Sequence, residues 1–398
     1  MPTTPPSRLD RWRADTPACR LGRIHLNNAG ASLPPLPVQR AVAEHLQLEA
    51  RMGGYEAADA RRDAIAAVYD AVGALVGAPG GTIALVDSAT TAFAQALSAF
   101  DFAPGDGLVT TINDYASNQL MYLSLAERRG VRVLRAAELP EGGVDPQSVR
   151  ELVAAHRPRL VAVTWIPTSS GLVQDAEGVG EVCAEAGVPY LVDACQAVGQ
   201  MPVDVSRLRC DFLAATGRKF LRAPRGTGFL YVSRAALARG WHPLLVDMRG
   251  AEWVGPDAYA LAEDARRFET WEFAWALVLG LGAAARYALE VGMETARERS
   301  RSLATRVRAG IHALPDAGVL DRGSELCAIV TASLPGRSAP ELVEELRQQG
   351  VSTSAVARTS ALLDLDAKGA RDALRISPHY YNSEAEVDIL IQLLEDAG

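Results

Sequence analysis

The chain is 398 residues long, 48% hydrophobic and 22% charged, the balance of a soluble globular protein with a large core. Its net charge of −8, with arginines spread along the chain and offset by nearby acids, argues against a nucleic-acid surface. No apolar run reaches the ~18–20 residues that span a bilayer, and the opening MPTTPPSRLDRWR has no signal-peptide core, so a cytoplasmic protein with a loose proline-bearing arm is expected.

In chain order, a helix is predicted over 36–51, followed by apolar strands over 83–87, 108–112, 131–135, 160–165, 190–193, 212–215 and 228–232. Segments between them, such as 116–129 and 176–186, carry apolar residues three and four apart, the helical period. Nearly continuous apolar strands separated by helices predict an α/β fold with a mainly parallel seven-stranded sheet buried on both faces. Past residue 250 the pattern changes. A helix over 273–310 with Gly292 as a break precedes a strand over 327–333, a helix over 339–349, short strands near Val351 and Leu374, and a helix over 383–395. The expected division is an arm and loop (1–30), a large α/β domain (31–270), and a long helix with a small α+β domain (271–398). The arm and the helix over 36–51 are expected near this last part.

Cysteines at 19, 183, 195, 210 and 327 are odd in number and lack CxxC spacing, which favours free thiols over a disulfide framework. The six histidines form no HExxH motif, and no metal site is expected.

In α/β sheets, ligands bind past the C-terminal ends of the strands. Three such ends stand out. After the strand at 83–87, Ser88, Thr90 and Thr91 set hydroxyls and free N–H groups at a helix start, which suits a phosphate or an ordinary N-cap. Asp193 ends an apolar strand, where its carboxylate needs a partner such as a pyridinium N–H, or else caps a helix; Gln196 follows three residues on. Lys219, in LAATGRKFL, is one of only two lysines beside 38 arginines. Its amine can condense with an aldehyde, which a guanidinium cannot do, and Arg218 beside it lowers its proton affinity; a solvated lysine is the alternative.

A phosphate anchor, an acid for a ring nitrogen and an imine-forming lysine together specify pyridoxal 5′-phosphate (PLP). The chain also resembles the class V, cysteine-desulfurase-like branch of the fold-type I PLP enzymes. The resemblance runs from IHLNNAGASLPP at 24–35 to LRISPHYYNSEAEVDIL at 374–390, with SATTA, NDYASN, IPTSSG, VDACQAVGQMPVDV, TGRKF, GTGFLYV and RRFETWE in family order. It implies that Lys219 carries the cofactor, Asp193 pairs with the pyridine nitrogen and Gln196 lies near the phenolic oxygen. Ala89, Thr90 and Thr216, with Thr91 in the same turn, would hold the phosphate, Tyr115 would stack on the ring, and Thr168 would sit between cofactor and substrate. Arg375 would grip the substrate carboxylate, with Asn28 lining the pocket. A homodimer with its active site at the subunit interface is implied as well.

Three departures from the desulfurase pattern matter. Arg218 stands where desulfurases have His. The segment 352–372 lacks the cysteine that takes sulfur as a persulfide, and Cys327, on an apolar strand, is a poor substitute. FETWEF replaces a Gly-Thr pair that reaches the partner's phosphate, leaving Thr270 or Trp271 for that task. RMGGYEAADAR and HLNNAGA resemble segments of class V enzymes that cleave cysteine conjugates in ergothioneine-type and lincosamide-type pathways. The expected reaction is therefore β-elimination from an S-substituted cysteine, a C–S lyase releasing a thiol, pyruvate and ammonia. Decarboxylation-coupled oxidative deamination, aminotransfer and epimerisation are the alternatives. Arginines 51, 222, 225 and 358 are candidates for holding an acidic or bulky substrate tail, or are ordinary surface residues.

Overall fold

The computed structural model describes residues 7–396; the prolines of the expected loose arm, in residues 1–6, lie outside them. From Ser7 onward the segment is ordered rather than loose. Ser7 and Asp10 form a capping box on the helix Arg8–Ala14. Arg13 pairs with Glu386 at 2.8 Å and Trp12 packs edge-on against Tyr380, so tertiary contacts hold what composition made look free.

The central sheet runs in the order Ile83–Val86, Gly228–Val232, Phe212–Thr216, Tyr190–Asp193, Leu160–Thr164, Gly107–Thr110, Arg132–Arg135. Only Gly228–Val232 runs against the other six. The strands from Leu160 to Val232 are buried at every position, hence their unbroken apolar runs. At the edge, Arg132–Arg135 exposes an arginine at each end, which discourages pairing with another chain. Because the strands are mostly parallel, their C-terminal ends bring Ser88, Asp114, Asp193 and Thr216 to one rim.

A second, antiparallel sheet is formed by Gly318–Val319, Val330–Ser333, Asp372–Ile376 and Ser354–Ala357, with the helix Ala339–Gln348. Its strand begins at Val330 rather than 327, because Cys327 N–H donates to the Gly171 carbonyl instead of the ladder. The long helix breaks at Gly292 (φ 81°) into Trp275–Val291 and Met293–Ala313, bent by 79°. The helix Leu36–Met52 packs on Trp275–Val291. No single helix among the described residues is long and apolar enough to cross a membrane. A hairpin of Ala251–Gly255 and Ala258–Leu261 stands out from the surface, with Trp253 81% exposed.

The turn after Phe212–Thr216 is tied to the rest of the chain by Arg222. This arginine is buried, not at the mouth of a pocket, and has φ of 63°. Its guanidinium donates to the Leu33 carbonyl (2.8 Å), the Tyr380 hydroxyl (2.8 Å) and the Thr16 hydroxyl (2.6 Å), and lies 4.3 Å from the Tyr381 ring centre. Replacing it with leucine strands those three acceptors. Arg222→Leu is expected to cost about 3–5 kcal/mol, read as a lowered urea midpoint; a loss below about 1 kcal/mol would remove Arg222 as the tie.

Candidate active site

A cavity of about 280 Å³ opens at the rim of the central sheet. Ala89, Thr90, Tyr115, Thr168, Asp193, Gln196, Thr216 and Lys219 all line it. Ser88 and Arg225 line it too, so ten of the sequence candidates meet in one place.

Lys219 is 7% exposed and its Nζ lies 5.8 Å from the centre of the Tyr115 ring. Burial holds its amine below the usual lysine range, with Arg218 and Arg375 pushing the same way against Cys195 and Asp193. The turn presenting it closes on Arg222 N–H, which donates to the Lys219 carbonyl at 2.9 Å. His379 supports the next residue: its Nε2 is 2.8 Å from the Phe220 carbonyl, and its Nδ1 accepts from Tyr380 N–H at 3.0 Å. Burial pushes His379 far below its usual value, so the neutral ring donates through Nε2.

Asp193 accepts from Cys195 N–H and from the Asn118 amide, each at 3.0 Å. Asn118 also donates to Asp114 at 3.1 Å, bridging two buried carboxylates. Asp114 further accepts from the hydroxyls of Thr110 and Thr164; burial raises its pKa, against these hydrogen bonds. Sequence reasoning missed Asp114 and Asn118, although NDYASN holds them four residues apart, one helical turn.

At the start of Ala89–Ser98, the first-turn N–H groups of Ala89 and Thr90 have no acceptor within the helix. Gly228 lets this turn approach the sheet: a Cβ there would lie 2.9 Å from the Ser88 carbonyl carbon and 2.7 Å from the Ala215 oxygen. Thr91 is engaged elsewhere, its hydroxyl bonded to Asp87 and its N–H to the Ser88 hydroxyl, so it belongs to the cap and not to the cavity wall. Gln196 donates to Thr168 (3.0 Å) and the Ala29 carbonyl (3.1 Å), while its Oε1 is buried without a partner. An unpartnered acceptor, a buried amine, a carboxylate and a free helix N-terminus around one cavity fit a phosphorylated pyridine aldehyde.

Arg375 is buried. It donates to the Thr168 hydroxyl (2.7 Å) and Asn27 (3.2 Å), and its Nε has no partner. Burial, then Arg218, brings its pKa down to about 10. Asn28 does not line the pocket. Its amide binds the Ser377 carbonyl at 2.8 Å and accepts from Tyr381, and the neighbouring Asn27 faces Arg375 instead. Arg358 lies outside the cavity, exposed and paired with Asp366, its natural partner one short helix away. Thr270 is exposed and outside this chain's cavity. The preceding Glu269 anchors that segment, accepting from Leu85 N–H (2.8 Å), Tyr69 (2.9 Å) and Arg249 (2.6 Å).

Incubating cofactor-free protein with PLP, reducing with borohydride and mapping peptides should place the pyridoxyl group on Lys219. Labelling should persist at about pH 8, where an ordinary lysine of pKa ~10.4 is almost wholly protonated. Lys219→Arg should give none; equal labelling of Lys368 would refute the assignment.

The family description Aminotransferase class-V matches residues 24–390. A probable cysteine desulfurase from Methanothermobacter thermautotrophicus is 28% identical over 396 residues, 98% of each chain. A probable hercynylcysteine sulfoxide lyase from Mycobacterium tuberculosis is 28% identical over 392 residues, 98% of this chain and 93% of that one. The apo cysteine desulfurase from Thermococcus onnurineus NA1 has this fold, with a TM-score of 0.90, 25% identity and 99% of both chains covered. The architecture is that of fold-type I, and PLP is the cofactor typical of the family. The chain belongs to the aminotransferase class-V family and is cysteine desulfurase-like.

Proposed function

We propose that the protein is a C–S lyase that cleaves an S-substituted cysteine by β-elimination to a thiol, pyruvate and ammonia. The observation that carries this reading is the state of the thiols. A desulfurase hands sulfur to a thiolate, and a thiolate needs exposure or a nearby cation to form. Cys195 alone lines the cavity; it is 9% exposed and burial pushes its thiol up. Burial likewise pushes Cys183 and Cys327 up to about 12, and raises Cys19 and Cys210. An elimination needs no sulfur acceptor. Kinship with a probable hercynylcysteine sulfoxide lyase points the same way.

Bound PLP supplies an electron sink for the pair left when Cα loses its proton. In the proposed reaction, Arg375 orients the substrate through its α-carboxylate, a task suited to a guanidinium fork. Lys219 takes the Cα proton, which its depressed pKa favours, and the C–S bond then breaks with its electron pair leaving on sulfur. Water hydrolyses the released aminoacrylate to pyruvate and ammonia. Asp193 would hold the ring nitrogen's proton, and Asn118 keeps the carboxylate in place. Tyr115 would cover the ring face, Gln196 would meet the phenolic oxygen beside Thr168, and Ala89, Thr90 and Thr216 would receive the phosphate.

We also propose that two copies pair. Leu245, Met248, Trp253 and Tyr259 form an exposed apolar set around the hairpin, of the kind that marks an interface. A partner there would let Thr270 or Trp271 approach the other cavity.

Holoenzyme given S-alkyl cysteines should release equal pyruvate and thiol. Lys219→Ala should lower the rate by about 10²–10⁴-fold. Oxygen uptake with CO₂ release, or nitrogen transfer to a keto acid without pyruvate, would refute the elimination. Loss of all turnover in Cys327→Ala would restore a sulfur-relay role for that thiol.

A further inference from the structure

The cavity holds more positive charge than an amino acid and PLP account for. Lys219, Arg218 and the exposed Arg225 line it, and Arg375 reaches it through Thr168. Asp193, the carboxylate beside Lys219, is already assigned to the ring nitrogen. Asp87, at the Ser88 turn, is bonded to Thr91. Among the described residues neither Arg218 nor Arg375 has a carboxylate partner. Arg375 binds only a carbonyl, a hydroxyl and an amide oxygen. The Arg218 guanidinium makes one hydrogen bond, from Nη1 to the Gly30 carbonyl.

That bond also locates the Arg218 fork. Gly30 follows Ala29, whose carbonyl accepts from Gln196, and Asn27, whose side chain accepts from Arg375. Arg218 therefore stands at the Arg375 end of the cavity and not at the Ser88–Thr90 turn. The two guanidiniums repel each other there, one source of Arg375's lowered pKa. A half-buried guanidinium without a counter-charge is unfavourable, and a ligand that supplies the missing anion gains affinity.

We propose that Arg218 is a specificity-determining residue that binds a second anionic group, carried on the substrate's sulfur-linked arm, while Arg375 holds the α-carboxylate. This rests on the reading of Arg375 given above. The substrate class is then a cysteine conjugate with a carboxylate or similar anion beyond the sulfur. The fork geometry of Arg218 suits a planar carboxylate bound by two parallel N–H groups.

The test uses near-isosteric pairs on the holoenzyme. S-carboxymethyl-L-cysteine and its neutral amide, S-carbamoylmethyl-L-cysteine, report through kcat/KM for pyruvate release. L-2-aminoadipate and L-norleucine, which have no thiol to expel, report through calorimetric Kd. The wild type should favour the anionic member of each pair by about tenfold or more. In Arg218→Gln the ratio should fall to near one, and in Arg218→Lys part of it should return. Titration with PLP should show cofactor affinity unchanged. If no pyruvate forms but aminoadipate is still preferred, the elimination fails and the anion site stands. If the wild type shows no preference in either pair, or Arg218→Gln leaves the ratio intact, the proposal is overturned. Loss of PLP affinity in Arg218→Gln with an unchanged ratio would assign the fork to the phosphate instead.

Discussion

One buried guanidinium holds Lys219 where it is. Arg222 sits three residues after Lys219 and its N–H closes the turn on the Lys219 carbonyl. Its side chain then reaches outward into three remote segments: Thr16 and Leu33 near the start of the chain and Tyr380 near its end. The rings of Tyr287, Tyr380 and Tyr381 lie within 5.8, 5.3 and 4.3 Å of the charge. Such a cation has lost most of its water, and hydrogen bonds and aromatic faces replace it. A neutral side chain would not join these segments, and an exposed one would not fix them. His379 adds a second tie through the Phe220 carbonyl. The segment RISPHYYN thus does two jobs: Arg375 bonds the cavity wall at Thr168, and His379, Tyr380 and Tyr381 clamp the lysine turn.

The electrostatics of the cavity follow from that placement. Lys219 is held in a desolvated position, which favours the neutral amine needed for imine chemistry. The opposite charge is supplied at a fixed point by Asp193, whose two oxygens are oriented by a backbone N–H and by Asn118. Asn118 is itself held by Asp114, which the hydroxyls of Thr110 and Thr164 satisfy. Each buried polar group hands a hydrogen bond to the next, as a low-dielectric interior demands. Of the buried side-chain atoms left without a partner among the described residues, Gln196 Oε1 and Arg375 Nε lie on residues at the cavity or bonded to its wall, where a ligand can supply what the protein does not.

What could be read in the sequence follows burial. The central strands from 160 to 232 are apolar at nearly every position because they are covered on both faces, and they stand out without any structure. The hairpin at 251–261 is exposed along most of its length, shows no core-facing alternation, and went unseen. Residues at strand ends, Asp193 and Lys219 above all, were legible because topology sends them to one rim. Asn118 was not, since an amide one turn into a helix looks like any surface asparagine. Arg222 was misjudged for a related reason. In a chain with 38 arginines, nothing local distinguishes the one that is wholly buried.

The two ends of the cavity are built differently, and this bears on how far kinship reaches. The cofactor end comes from the rigid ends of sheet strands and one helix start, held by a close approach at Gly228. The other end carries Arg218, where the desulfurase pattern has a histidine; the segment 352–372, another departure, lines no part of the cavity. The segment 352–372 brings no thiol and instead forms a strand and a short helix, whose Asp364 is buried, pairs with Lys368 at 2.7 Å and faces Ser169 beside Thr168. The second of the chain's two lysines is thus held in an ion pair outside the cavity. A scaffold of this kind conserves the cofactor's chemistry while loops choose what is bound. Family membership therefore speaks for the cofactor end of the cavity. At the other end the wall carries a guanidinium, Arg218, and the one thiol lining the cavity, Cys195, is buried.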